Sequence, residues 1–416
     1  MELLRNAVRP YAWGSRTVIA ELQGREVPAP HPEAELWMGA HPDDPSTVIS
    51  ADGTERSLLE LVESDPVGQL GMACARRWGS RLPFLLKVLA ADEPMSLQAH
   101  PSVRQASEGY AREEALRIPR QAPSRNYPDP TAKPELVCAL SEFHVLAGFR
   151  DPHRTVELLR CLDEPQVARY ADLLAAQPDA DGLRALFTTW ITLPAVVLDD
   201  LLPRVLDACV IQVKEHGQFD LECRTVLELG ELYPGDPGVL AALLLNRLVL
   251  GPGEAVYLAA GNLHAYLRGT AVEILANSDN ILRCGLTPKH VDVPELLKVL
   301  DFSHGDMPVS RGEQVADHML TYRTETPEFE LSRLEWSSGS TSRDRVELNY
   351  TGPRVLICTA GAVVLSTRVG RRLRLTRGDS AWLPAHDAAD GAVLACPDGA
   401  DRDGRTQLFL ATSGAC

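Results

Sequence analysis

The chain has 416 residues, 45% of them hydrophobic, with 41 Lys and Arg against 57 Asp and Glu, a formal charge of −16. That length and apolar content suit two or three domains with buried cores. The acidic balance repels phosphate backbones and anionic membranes, which argues against nucleic-acid and membrane partners and requires that any anionic ligand meet a local cluster of Lys and Arg.

From Met1 to about Arg150, short apolar runs such as "STVIS" and "FLLKVL" alternate with Pro and Gly clusters, and a mostly β region is predicted. From about Asp151 to Asn246, apolar residues recur at spacings of three and four with charges between them, which predicts five or six helices. At Leu250 the β texture returns. A short helix, "DVPELLKVL", follows, and a new set of strands runs from about Met319 to the C-terminus.

Two segments echo each other: "GPGEAVYLAAGNLHAY" (Gly251 to Tyr266) and "TRGDSAWLPAHDAAD" (Thr376 to Asp390). Each has Gly, an acid, an apolar strand with an aromatic, and a small-residue turn, a pattern that points to two related β-barrels of the jelly-roll kind. Only the first is expected to place a His, His264, after its turn, so one active barrel is expected and one with a structural or covering role. Nine cysteines without a CxxC pair suit free thiols in a reducing compartment. With no signal-like start and no apolar run of membrane-spanning length, the chain reads as cytoplasmic, a monomer or weak homo-oligomer.

The chemistry starts at "SLQAHPS". On a strand, residues two apart face the same way, so Gln98 and His100 project into one cavity. Alone, that pair is also explained by a surface or core histidine. Glu135 opens the apolar strand "ELVCAL", where an inward carboxylate is costly without a cation. His264 follows a strand end. Two imidazoles, one carboxylate and one amide oxygen leave a position for water or substrate, the mark of a catalytic rather than a structural metal site. Zinc is the first choice, and Mn, Fe and Co remain compatible with these ligands.

These residues lie in segments that resemble the type I mannose-6-phosphate isomerase (phosphomannose isomerase) family of zinc-dependent cupin enzymes: "YAWGS", "AELWMGAHP", "LPFLLKVLAADEPMSLQAHPS", "KPELV", "GNLHAYL" and "NSDNILRCGLTPKHVDV". They occur in the family's order over most of the first 300 residues. The resemblance implies a mainly β fold of two cupin-like jelly-roll barrels with an inserted α-helical domain. A discontinuous catalytic cupin domain would occupy 1–150 and 247–318, the helical domain 151–246, and a C-terminal cupin-like domain without metal 319–416.

It also implies one zinc ion on Gln98, His100, Glu135 and His264, a catalytic Arg at Arg283, an acid/base carboxylate at Glu273, and phosphate contacts at Lys87, Ser96 and Lys289. Trp13 and Tyr266 are expected near the sugar, and Lys133 beside the metal. The substrate would be a small sugar phosphate, mannose 6-phosphate, converted to fructose 6-phosphate through a cis-enediol. One departure stands out: the family's usual His before Lys-Pro-Glu is Ala132 here, so a proton-shuttling role for that His does not carry over.

Several assignments have competing readings. Arg283 could form an ordinary ion pair. Lys87, an ammonium inside an apolar strand, needs an anion, which could be the substrate phosphate or a protein carboxylate. Alternation puts Glu273 on one face with Ala271 and Leu275, where a raised pKa suits a proton carrier, yet Lys133 or a metal-bound hydroxide could serve as base. A metal-containing cupin that binds sugar phosphates without turnover is the alternative function, and a metal-dependent dioxygenase is a third.

Overall fold

The computed structural model describes residues 1–390 and 392–414. It is mainly β, with helices concentrated in one segment. The strand Phe84–Ala91 is buried along its whole length and lies between Glu35–Met38 and His264–Ala276 in an eleven-stranded sheet. Its alternation explains both faces. Phe84, Leu86, Val88 and Ala90 enter a large apolar core with Val272 and Ile274 of the neighbouring strand. Leu85 packs with Trp37 and Leu275 on the opposite face, the face that also carries Lys87.

Strand register then fixes what meets Lys87, which stands opposite Glu273 on one side and Trp37 on the other. The 13-residue strand His264–Ala276 pairs with Phe143–Phe149 near its start and with Phe84–Ala91 and Glu135–Ala139 near its end. It changes partners around Gly269, whose φ is 117°. A Cβ there would stand 2.4 Å from the Glu142 carbonyl oxygen, so the crossing needs glycine.

The helices run from Pro152–Cys161 to Gly238–Ala241, followed by a 3-10 turn and the strand Leu245–Leu250. Two begin with an acid followed by Pro. Asp151 accepts from the His153 and Arg154 N–H groups, Glu164 from those of Gln166 and Val167, and Pro152 and Pro165 occupy positions where no donor is required. Their apolar faces share one core with Phe149 and Leu282 of the strands and with Leu263, just before the strand His264–Ala276. No single helix among the described residues is long and apolar enough to cross a membrane.

Two expectations need amendment. The first 150 residues hold five helices, Val18–Leu22, Leu58–Ser64, Pro66–Leu70, Met72–Trp78 and Val103–Ala115, alongside the strands. In addition, Glu2–Arg5, Thr47–Ile49 and Glu55–Ser57 belong to a nine-stranded sheet with the C-terminal strands, because Glu2–Arg5 pairs with Ser380–Leu383. Hydrogen bonding therefore cuts across the expected boundary between 1–150 and 319–416.

Candidate active site

A cavity of about 400 Å³ opens on the face of the eleven-stranded sheet that carries Lys87. Trp13, Lys87, Ser96, Gln98, Lys133, Glu135, Tyr266, Glu273, Arg283 and Lys289 all line it. His100 and His264 stand beside Glu135, and the ligand atoms of these three buried residues lie within 4.8 Å of one another. Gln98 is the strand neighbour of both His264 and Arg283.

The imidazoles carry the case for a cation. His100 Nδ1 is 2.7 Å from the Asn280 carbonyl oxygen and His264 Nδ1 3.0 Å from that of Asn262. A carbonyl only accepts, so each Nδ1 carries the proton and, in a neutral ring, Nε2 presents a lone pair. Both Nε2 atoms are buried without a hydrogen-bond partner, yet they face Glu135 oxygens at 3.2 and 3.5 Å. Acceptors turned toward acceptors in a buried space need a cation between them. Burial, against the pull of Glu135, lowers His100 to about 4, keeping that ring neutral. Burial alone would push Glu135 up, but the Lys133 ammonium, 3.1 Å away, holds it well below the usual carboxylate range. This donor set fits a divalent metal with an open position.

Next to it lies a second buried cluster. Lys87 Nζ is 3.2 Å from Glu273 and 3.4 Å from Glu35. Trp37 Nε1 donates to Glu35 at 2.5 Å. Lys87 thus meets two anions within the protein, because the strand register places a carboxylate on each side of it. Burial would lower Lys87, but Glu35, Glu273 and Glu135 raise it and keep it charged. Burial raises Glu273, with Lys87 acting in the opposite direction. Tyr266 donates to Glu135 at 3.3 Å, and its phenol is pushed up by burial and by the Glu273 and Glu135 charges.

At the outer end, Arg283 and Lys289 have no carboxylate partner among the described residues. Burial lowers both, and Arg283 lowers Lys289 further by repulsion. Two neighbouring cations with unspent charge can attract an anion within an acidic protein. Ser96 Oγ lies 3.4 Å from Gln98 Oε1 and lines the same cavity. Tyr11 and Trp13 stack at 5.7 Å and wall one side.

Three residues in the cavity wall escaped the sequence reading. Glu35 lies in "AELWM", an acid in an apolar strand, the same signal that singled out Glu135. His41 and Asp279 form a pair at 3.1 Å, and Arg120 joins Asp279 at 2.9 Å. Burial would raise Asp279, but His41, Lys133 and Arg120 bring it down to about 2. No local spacing announces a pair so distant in sequence. Ala132 lines a different, smaller cavity with Trp78 and Asn277.

Known proteins resemble this chain in sequence and in fold. The description "Phosphomannose isomerase type I, catalytic domain" matches residues 1–152. Mannose-6-phosphate isomerase of Escherichia coli is 38% identical over 396 residues, covering 93% of this chain and 96% of that one. The Homo sapiens enzyme is 31% identical over 405 residues, covering 92% and 93%. A crystal structure of a phosphomannose isomerase mutant from Salmonella typhimurium superposes with a TM-score of 0.87 at 34% identity, covering 100% of this chain and 99% of that one. A zinc-bound mannose 6-phosphate isomerase gives 0.86 at 34% identity, with 99% of each chain covered. On identity over most of its length and on fold, this chain belongs to the type I phosphomannose isomerase family.

Proposed function

We propose that the chain interconverts mannose 6-phosphate and fructose 6-phosphate as a zinc-dependent aldose–ketose isomerase. The observation that carries this is the pair of buried imidazole lone pairs facing Glu135 at the base of a cavity whose outer end holds Arg283 and Lys289.

Gln98, His100, Glu135 and His264 would hold one zinc ion. When bound, it supplies Lewis acidity toward the sugar oxygens next to the reacting carbons. Glu273 takes the C2 proton of the open-chain aldose and returns it at C1 through a cis-enediol, while the hydroxyl proton passes from O2 to O1. A carboxyl raised by burial yet faced by Lys87 suits a group that both takes and gives a proton. Lys87 we assign to holding Glu273 rather than phosphate. Lys133 and Tyr266 hold Glu135 in place through the contacts above.

Arg283 faces the charge that develops on the enediol oxygens, and Lys289 with Ser96 receives the phosphate. Trp13 offers an apolar wall to the sugar. The binding-only reading drew on Ala132, which lines a separate cavity, and on the weak motif match of the C-terminal third, which the alignments with the relatives nevertheless span.

We also read the two large sheets as two cupin-like jelly-roll barrels, the first holding the metal. The division follows 1–150 with 247–318, then 151–246, then 319–416, amended so that the three N-terminal strands named above join the last unit. The described cysteines are free thiols, which supports a reducing, cytoplasmic setting.

The test is conversion of mannose 6-phosphate by the zinc-loaded protein, with and without chelator, alongside Arg283→Ala. Conversion that stops with chelator and drops at least about a hundredfold in the Arg variant is expected. Substrate binding without conversion would overturn the isomerase reading, and full turnover by Arg283→Ala would remove the proposed stabiliser.

A further inference from the structure

We infer that Asp236, in the turn between the helices Asp220–Leu232 and Gly238–Ala241, is a positioning residue: it fixes the loop that carries Lys289 and so sets affinity for the phosphate end of the substrate. This rests on the phosphate assignment above. The two oxygens of Asp236 reach different elements. Oδ1 accepts from the Gly238 N–H at 2.7 Å and Oδ2 from the Leu286 N–H at 2.8 Å. One carboxylate thus pins the loop 285–289 to the end of the helices.

The loop needs pinning. Leu286 has φ of 56°, a left-handed conformation that a leucine keeps only when its surroundings hold it there. The approach is close enough to exclude side chains. A Cβ on Gly285 would stand 2.6 Å from Asp236 Oδ1 and 2.9 Å from Gly238 Cα, so two glycines face each other where the backbones touch. Beyond Leu286, Thr287 Oγ1 accepts from the Lys289 N–H at 3.1 Å, carrying the constraint to the residue that lines the cavity.

The same turn also reaches the opposite wall. The Asp236 N–H donates to the Tyr233 carbonyl at 3.1 Å. Tyr233 itself lines the cavity, and its hydroxyl donates to the Pro94 carbonyl at 2.9 Å, two residues before Ser96. Residues 233–238 therefore brace both loops that carry the proposed phosphate contacts, and Asp236 touches none of the reacting groups.

The experiment compares wild type, Asp236→Asn and Lys289→Ala, all zinc-loaded and full length. It measures kcat and KM for mannose 6-phosphate, the competitive inhibition constant of inorganic phosphate, zinc per chain, and amide hydrogen exchange across 285–289. The amide variant keeps the shape but turns an N–H group toward an N–H donor. Asp236→Asn should raise KM and the phosphate inhibition constant together by about tenfold. Exchange at 285–289 should speed up, while kcat and zinc content hold.

Weaker phosphate inhibition in Lys289→Ala but not in Asp236→Asn would overturn the positioning role and leave the phosphate assignment standing. Unchanged phosphate inhibition in Lys289→Ala would sink that assignment and the inference with it. Loss of zinc or of kcat in Asp236→Asn, with KM unmoved, would show general support of the fold and overturn the inference.

Discussion

The two echoing strand–turn segments can be compared residue by residue. In the first, the strand Ala255–Leu258 leads through a turn to His264, whose ring is aimed by the Asn262 carbonyl so that Nε2 is left without a partner. In the second, Ser380–Leu383 leads to His386 and Asp387. This second histidine breaks the expectation of a difference between the copies at that level. His386 is exposed, with Nδ1 3.1 Å from the Gly68 carbonyl oxygen. The buried group is Asp387, which meets the Met1 ammonium and, at 2.7 Å, Arg371. One segment leaves a buried ligand atom unsatisfied, and the other neutralises its buried charge within the protein. Similar local sequence serves chemistry or cohesion according to whether the residue after the turn is answered by the rest of the chain.

The strongest test of that contrast is His264→Ala. It should lose stoichiometric zinc and drop kcat/KM by about a thousandfold or more. Metal analysis beside a fructose 6-phosphate assay checks this, and full zinc occupancy with normal turnover would erase the contrast. The matching change in the second segment, Asp387→Ala, should cost about 3 kcal/mol in urea unfolding because it strands the Met1 ammonium, while kcat stays close to wild type.

Asp279 sharpens the comparison from the catalytic side, since it borders the cavity yet has partners. Its carboxyl is held down to about 2 from an ordinary 3.8. Between those values the unfolded chain binds more protons, so stability should rise with pH through that window. About 2 kcal/mol would be lost as pH falls from about 4 to about 2. Urea titrations at several pH values measure the slope, and Asp279→Asn should flatten it. Smallest is Ser102→Ala, two residues from His100. Ser102 and Gln105 form a reciprocal cap on the helix Val103–Ala115. Its removal should cost about 1 kcal/mol without changing zinc content.

The helices from Pro152 onward were legible because apolar residues recur at spacings of three and four, and strand faces because Glu273 alternates with Val272 and Ile274. The cap "SVRQ" marked another helix start that the sequence reading passed over. The short helices Pro66–Leu70 and Met72–Trp78 offer too few turns for periodicity to register. Pairing of Glu2–Arg5 with Ser380–Leu383 joins opposite ends of the chain, and no local pattern encodes such a partner. Within the site, charges inside apolar strands drew attention to Lys87, Glu135 and Glu273. Whether Lys87 met a ligand or a carboxylate depended on register, which alternation does not supply. His41 and Asp279 were invisible for the same reason.

Both imidazole rings take their aim from peptide oxygens, at Asn280 and Asn262. Every amino acid brings such an oxygen, but the side chains hold the loops that place it: Asn280 Nδ2 donates to the Asp129 and Thr131 carbonyls, and Asn262 Oδ1 accepts from the Ala259 N–H. The orientation of the rings is written in the route of the main chain, and each asparagine acts on its histidine at one remove, by fixing that route.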